Sequence, residues 1–557
     1  MRRAAAGMLA RATRWVRWLA QHQILCLILF FSFVARLFLA NWKSYWYDEL
    51  LSVAIYGSNH ATLVSALKSL AAHSAHPPLY HAILYYWIQI FGTEEVTTRT
   101  LSNLYITGAT LCLYLLALRL FGRRVAIASA LLFAFSYTAT FFGLEARSYA
   151  QSLFLVTLSS LLLWRWLDHA EDPPAWGDLF AGRAALLLCN IALLLTHYSN
   201  ALFVIVQALF AGFFFAHRGR SETRLLTLSK LVAFYVTQFA VALALWGPVA
   251  WSTHKRFAGN VKYTVHGFPQ FTPPEIFFQS VVRPGLLEVP LVLVMAVLVC
   301  LTIVLVRSAK QHFLRADTTP PLNQYFLFYL TAWATLPCVL AYLVFFAAGS
   351  ERYIPRYFAI CVPPLSILLV LALEQFVVIL DWARQKPKTP VRRNYLRNSV
   401  LYALIACALF ALPGAYVAAK DPKGLYRDIA RSIVRLVEQD PKSSFAIYEA
   451  ALRRRPLLNF YLERFSKKTI RVDGTLRMDD EKPGRDSLKR IKGKVAERDY
   501  LIVAFPFVSA QKFPVLLPFL QNKYNVAFSQ MSRHGRGYIV FKLRPAESRD
   551  GPGPGGD

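Results

Sequence analysis

The chain has 557 residues, 56% of them hydrophobic and 14% aromatic, with a formal charge of +30 and a mean hydropathy of +0.37. Several apolar runs approach the roughly 20 residues that cross a bilayer, which excludes an ordinary soluble globule and leaves a polytopic membrane protein. The basic excess sits mostly in short loops between those runs, where Lys and Arg orient spans against anionic lipid, so it argues for no nucleic-acid partner.

The N-terminal MRRAAAGMLARATRWVRW is basic and is followed by an apolar run without a small-residue cleavage site, which predicts a retained first span with a cytoplasmic flank. Spans are predicted over 24–40, 101–120, 125–142, 150–167, 184–197, 199–217, 228–250, 286–306, 325–348, 357–380 and 398–417. Positive-inside counting puts the N-terminus, 119–124, 165–174, 217–224, 307–315 and 381–398 in the cytoplasm. The segments 41–76, 143–149, 197–199, 251–285 and 349–356 then face the other side. The stretch 77–91 is apolar but only 15 residues long, and a full crossing there would turn the basic loops outward. It is read as a juxtamembrane or partly inserted helix, giving eleven spans, with thirteen as the competing count.

The seven cysteines all lie in or beside apolar runs and form no CxxC pair, which speaks against disulfides and zinc–thiolate sites. From about residue 418 the pattern changes. GLYRDIARSIVRLVEQ has apolar residues at 429, 433, 436 and 437, the spacing of one helix face. SFAIYEA, KTIRVD and YLIVAF read as strands, and YNVAFSQMSRHGRGYIVFKL reads as a closing hairpin turning at Gly535–Gly537. The predicted organisation is a membrane module over 1–417, an extramembrane α/β domain over 418–545 and a disordered tail over 546–557.

Polar clusters punctuate this apolar chain. Asp48 and Glu49 follow the aromatic pair Trp46–Tyr47. Carboxylates there suit a divalent cation such as Mg or Mn, or a proton abstraction from a hydroxyl; a solvated helix start is the plain alternative. His76, before Pro77–Pro78, reads equally as an interfacial histidine, a metal ligand with Asp48, or a substrate contact. Glu145 and Arg147 lie where an idle buried charge costs kilocalories, and the Arg147 fork suits a lipid phosphate. Tyr149, His197 and Tyr198 are candidate substrate contacts, while Arg352 and Arg356 either bind phosphate or answer Glu351 and headgroups. All these clusters are predicted on the non-cytoplasmic side, and their convergence weighs more than any single motif.

At these residues the chain resembles the membrane glycosyltransferases that use polyprenyl-phosphate sugars. It is similar to the GT-C-fold superfamily, specifically the group of protein O-mannosyltransferases and bacterial aminoarabinose transferases. YDELLS resembles that group's first outer-loop acidic motif, and HPPLY with IFGTEEVTTRTLS its continuation. FGRR, EARSYA, THYSN and PRYFAICVPPL follow in the same order, so the resemblance covers about 1–380. It implies a GT-C-like helical fold with a small C-terminal outer domain, a polyprenyl-phosphate sugar donor, and transfer with inversion on the outer leaflet. The implied acceptor is a glycolipid, an envelope glycan or a protein. Asp48 takes the central role in this reading, as base or metal holder, with Glu49 in support and Arg147 or another outer-face Arg on the donor phosphate. The implied setting is a bacterial inner membrane with the site and C-terminal domain facing the periplasm. A transporter or flippase for a lipid-linked saccharide is the competing class, but no broken-helix pair appears in matching halves.

Overall fold

Apolar runs of this length can satisfy their backbone in a bilayer only by closing hydrogen bonds within each segment, and the chain accordingly folds mainly into helices. The computed structural model describes residues 20–42, 44–74, 76–168, 176–218, 224–258, 302–303, 306, 321–347, 355–383, 425–451, 457–466, 470–477, 498–506, 516–531 and 536–543. By its internal contacts the chain divides into two units, Met1–Ala40 with Tyr56–Ala419, and Asn41–Ile55 with Lys420–Asp557.

In the first unit the helices are α1 (Gln23–Leu39), α3 (Leu63–His73), α4 (Leu79–Phe91), α5 (Glu95–Phe121), α6 (Arg123–Phe135), α7 (Tyr137–Gly143), α8 (Tyr149–Asp168) and α9 (Trp176–Leu194). They continue with α10 (Asn200–Arg218), α11 (Arg224–Ala258), α12 (Leu322–Ala347), a 3-10 turn Pro355–Cys361, and α13 (Val362–Ala383). The short α2 (Tyr47–Leu50) runs into a π-helical stretch, Leu51–Ser58, that passes from the second unit into the first. Six described helices are long and apolar enough to cross a membrane, or seven if α6 and α7 count as one bent span. α1 falls one residue short of that length, and the apolar part of α9, Gly182–Leu194, is shorter still. The chain is thus a multi-span membrane protein.

The element at 77–91 is a 13-residue helix, α4, closed by Gly92 at φ 87°. At Gly122, φ 86°, one residue suffices to turn α5 into α6, which only glycine does without strain. The span predicted as continuous over 125–142 is instead broken by 52° between α6 and α7. Ser136 adopts ψ 151° and its hydroxyl accepts from Ala139 N at 3.2 Å, the geometry of a helix N-cap, so one helix ends and another begins at that serine. The predicted spans 286–306 and 398–417 lie almost wholly or wholly outside the described residues.

Packing centres on α5 and α8, which lie against each other, with α1 and α6 on α5, α9 on α8, and α12 between α10 and α13. A polar knot ties four of these helices. Asn190 Nδ2 donates to Gln207 Oε1 (2.7 Å) and Gln238 Oε1 (3.0 Å), Ser159 Oγ donates to Asn190 Oδ1 (2.6 Å), and Gln207 Nε2 donates to Ser159 Oγ (2.8 Å). Polar side chains matched this way fix helix register where lipid supplies no hydrophobic drive between helices. The faces left exposed on α1 and α11 are apolar, with Phe38 70% and Leu243 68% exposed, as a lipid-facing surface requires.

In the second unit, α14 (Tyr426–Gln439) precedes β1 (Phe445–Ala451), α15 (Asn459–Phe465), β2 (Gly474–Arg477), β3 (Tyr500–Phe505), α16 (Leu516–Lys523), β4 (Asn525–Met531) and β5 (Gly537–Lys542). The sheet order is β2-β1-β3-β5-β4, with β1 parallel to β2 and β3, and β5 antiparallel to β3 and β4. α14 buries Tyr426, Ile429, Ala430, Ile433 and Val434; of the expected face, 429 and 433 are buried and 436 and 437 half-buried. The strand expected at KTIRVD starts later, at Gly474. Before it, Val472 N donates to Asn459 Oδ1 (2.8 Å) and the Asp473 carboxylate accepts from Ile447 N (2.9 Å), so side chains take the bonds that a ladder would use.

Candidate active site

Four polar turns of the first unit meet. His76 precedes Pro77–Pro78, and these prolines start α4 without losing a bond that the first helical turn would make. Leu79 N then donates to Leu195 O at 3.0 Å, tying the start of α4 to the turn between α9 and α10. Asn200 braces that turn from below, donating to Leu193 O (2.9 Å) and to Ser152 Oγ on α8 (3.0 Å). The break at Ser136 starts α7, which ends at Gly143, and the following turn carries Glu145 and Arg147 into the start of α8. The 3-10 turn with Arg356 and Tyr357 is fixed by Trp333, whose Nε1 donates to Ile360 O at 2.8 Å.

The result is a cluster of cations, imidazoles and phenols. Arg147 Nη2 lies 3.2 Å from His76 Nε2, and a guanidinium can only donate, so that nitrogen accepts. The His76 ring is 5.7 Å from His197, which in turn lies 5.4 Å from Tyr149 and 4.8 Å from Tyr357. The Arg356 guanidinium carbon stands 5.9 Å over the Tyr149 ring, within cation–π range. His197 Nδ1 accepts from Ser199 N at 3.2 Å, which places the proton on Nε2, and that buried nitrogen has no hydrogen-bond partner.

Burial, then Arg147 and the other neighbouring cations and imidazoles, holds the His76 imidazole well below its ordinary value. Burial, with Arg147 and Arg356 beside it, pushes His197 down to about 3. Both histidines are therefore neutral at physiological pH, and the formal positive charge of these side chains comes from the two arginines. Such a cluster suits an anion with several acceptor oxygens better than a second cation.

Of the other residues singled out in the sequence, Glu145 is buried, and its carbonyl accepts from Arg147 N at 2.8 Å within the turn. Tyr149 is inside the cluster, whereas Tyr198 is 45% exposed beside its buried neighbour His197. Arg352 lies outside the described residues. Asp48 and Glu49 belong to the second unit. Glu49 is fully buried and its Oε2 accepts from Trp46 N at 3.3 Å, closing the first turn of α2; Asp48 is half-buried. Among the described residues no group of three or more His, Cys, Asp or Glu side chains could hold a metal ion. Sequence reasoning missed His81, whose ring stacks at 6.4 Å on His76, and Tyr357. The second histidine of HPPLYH was the available signal for the first of these, and the tyrosine after Arg356 for the second.

This bundle with its small mixed-sheet unit has the fold of membrane glycosyltransferases of the GT-C class. It is similar to the crystal structure of ArnT from Cupriavidus metallidurans in the apo state, with a TM-score of 0.53 and 15% identity, covering 96% of this chain and 98% of that one. It is likewise similar to ArnT from the same organism bound to undecaprenyl phosphate, with a TM-score of 0.52 and 14% identity over 96% and 100% of the two chains. Residues 75–250 match the family model of dolichyl-phosphate-mannose-protein mannosyltransferase. No curated protein matches the chain. The matched stretch holds His76, Arg147 and His197, so the superfamily resemblance drawn from the motifs stands.

Proposed function

We propose that the protein transfers a sugar from a polyprenyl-phosphate donor to a hydroxyl of a glycolipid, envelope glycan or protein, with inversion at the anomeric carbon. The observation that carries this reading is the pair of cations, Arg147 and Arg356, set among neutral imidazoles and phenols. The family match over the same residues and the undecaprenyl phosphate bound to a structural neighbour support it.

Arg147 and Arg356 hold the donor phosphate, joined by Arg352. The unpartnered Nε2–H of His197 adds a neutral donor, and His76, Glu145, Tyr149 and Tyr198 shape the surroundings. Asp48 takes the proton of the acceptor hydroxyl. Its oxygen bonds to the anomeric carbon as the bond to phosphate breaks, and polyprenyl phosphate leaves with the electron pair. Phosphate is already a good leaving group, so charge neutralisation and positioning replace the second acid that a glycosidase needs. Glu49 closes the turn that carries Asp48. No step here runs through a metal, and restoring Mg or Mn after chelation tests whether one is required. The bacterial inner membrane is the proposed location, with the site and the C-terminal domain facing the periplasm.

The decisive experiment is mass spectrometry of envelope lipids, glycans and glycoproteins from a deletion strain complemented with wild type, Asp48→Asn or Arg147→Gln. Loss of one sugar from one acceptor, restored by wild type alone, names both substrates. Full restoration by Asp48→Asn would sink the catalytic assignment.

A further inference from the structure

Asn41–Ile55, the segment that carries Asp48, packs with the C-terminal α/β domain although hundreds of residues separate them in sequence. The join is specific. Tyr45 N donates to the Tyr461 hydroxyl at 2.9 Å, and both side chains are fully buried. The Tyr45 ring also packs against Phe460 and Tyr461, with centroids at 6.0 and 6.3 Å. At the start of the segment Arg427 Nη1 donates to Asn41 O at 2.9 Å, while its Nη2 reaches Trp42 O at 3.4 Å. Tyr426, one residue earlier on α14, is fully buried, and its hydroxyl lies within electrostatic reach of Glu449, Tyr47, Arg536 and Asp48.

An acidic loop held only by its two ends would sample many positions. Catalysis by a carboxylate base loses steeply when the base is an ångström out of place. Here two successive backbone carbonyls and one amide of the segment are bonded to side chains of α14 and α15, just before the turn that carries Asp48. Bonding of this kind fixes a loop's path rather than adding bulk stability.

We infer that the C-terminal domain is a positioning element for the acidic loop, with Tyr461 and Arg427 as the residues that set the placement of Asp48. The inference rests on the proposed role of Asp48 as the base. It separates the domain's contribution from donor binding: removing these contacts lowers turnover and leaves donor affinity as it was.

The test uses the full-length protein in detergent or nanodiscs with the substrates identified from the envelope comparison. Four variants are compared, Tyr461→Phe, Arg427→Ala, Asp48→Asn and Asn459→Ala. The last removes the bond that Val472 N donates to Asn459 Oδ1, a bond within the same domain. Tyr461→Phe deletes one neutral acceptor and is expected to lower kcat about fivefold, and Arg427→Ala about tenfold, each with donor KM within twofold of wild type. Hydrogen exchange at the Tyr45 amide rises in Tyr461→Phe, while Asn459→Ala lowers the melting temperature and keeps kcat. Wild-type kcat in both positioning variants, or an equal kcat loss in Asn459→Ala, overturns the inference. Retained activity in Asp48→Asn overturns the underlying reading of the base instead, so the two failures are told apart.

Discussion

Arg36 sits inside the first apolar helix, 2% exposed, and its bonds are those of a helix-end cap. Its Nε donates to Asn103 Oδ1 at 2.6 Å, Nη1 to Ala134 O at 2.7 Å and Nη2 to Ser32 Oγ at 3.2 Å. Ala134 O would accept from residue 138 in an unbroken helix, and the break at Ser136 frees it. The guanidinium thus satisfies the carbonyl that the bend exposes, and places positive charge at the C-terminus of α6, where the helix dipole favours it. Replacing Arg36 with Met leaves Ala134 O and Asn103 Oδ1 without this donor. Interhelical bonds in membranes average about 0.6 kcal/mol and reach about 1.7, and charged donors lie at the high end. The two short interhelical bonds, to Asn103 and Ala134, then amount to about 2–3 kcal/mol. The cost of holding Arg in an apolar helix is also present in the inserted, unpacked state, so it largely cancels from the measurement. The assay is reversible unfolding in mixed micelles of wild type, Arg36→Met, Asn103→Leu and the double variant. A loss of about 2 kcal/mol for Arg36→Met is expected, with a coupling of about 1 kcal/mol to Asn103. Coupling within the ~0.3–0.5 kcal/mol error of additivity would refute the argument.

Gly143 tests the same contact from the other side, because a Cβ there would lie 2.8 Å from Arg36 Cδ in a side chain pinned by three bonds. Gly143→Ala is expected to lower stability by about 1–3 kcal/mol in the same unfolding assay. Asn190→Leu removes the donor to Gln238 Oε1, the shorter of the two donors to Gln207 Oε1 and the acceptor of the Ser159 hydroxyl at once, and should lower the melting temperature by several degrees, whereas Tyr198→Phe on the exposed neighbour of His197 should not. Glu449, fully buried on β1, accepts from Leu458 N at 2.8 Å on Oε2 and from the Leu457 backbone, and burial outweighs these bonds and raises its carboxyl from 4.5 to about 8. A raised folded value means that its protonated form favours the fold. That contribution is fully present below pH 4.5 and is lost as pH rises through 8, up to about 5 kcal/mol at ~1.4 kcal/mol per pH unit. Glu449→Gln should therefore melt like wild type at pH 5 and above it at pH 9; equal melting at both would show that Glu449 is not buried neutral. Depressed values at His76 and His197 act the other way: the stability they confer is complete above 6.5 and is lost as pH falls toward the folded values, about 3 for His197. Donor binding should accordingly stay flat from pH 6 to 8 in a titration with a polyprenyl-phosphate sugar, whose phosphodiester does not itself titrate in that range.

The helices were legible because hydrophobic length is a sum over twenty residues and tolerates local error. The bend at Ser136 was not, since hydropathy counts apolar atoms and is blind to one serine switching from helix to cap. Arg36 went unremarked for a related reason: a lone Arg near the end of an apolar run reads as a flank until its partners on α5 and α6 are in place. The order of the motifs pointed to the cluster around Arg147 and His76, whose members lie 71 residues apart in sequence. Periodicity could not show that His81 stacks on His76, because the helix begins between them at Leu79. The later start of β2 was hidden because the β-branched residues of KTIRVD look like a strand, while the Asn459 side chain accepts from Val472 N before it and the Asp473 carboxylate accepts from Ile447 N on β1.

The bond between the Tyr45 amide and the Tyr461 hydroxyl spans 416 positions in the chain. Ribosomes add roughly 5–20 residues per second, so the acidic loop emerges about 20–80 seconds before the helix that completes its packing is made. During that interval Tyr45, Trp46 and Tyr47, all buried in the finished protein, have no domain to enter. The segment 41–55 is thus among the last parts of the chain to mature. Synthesis halted anywhere before α15 would leave an inserted bundle whose acidic loop has never been set.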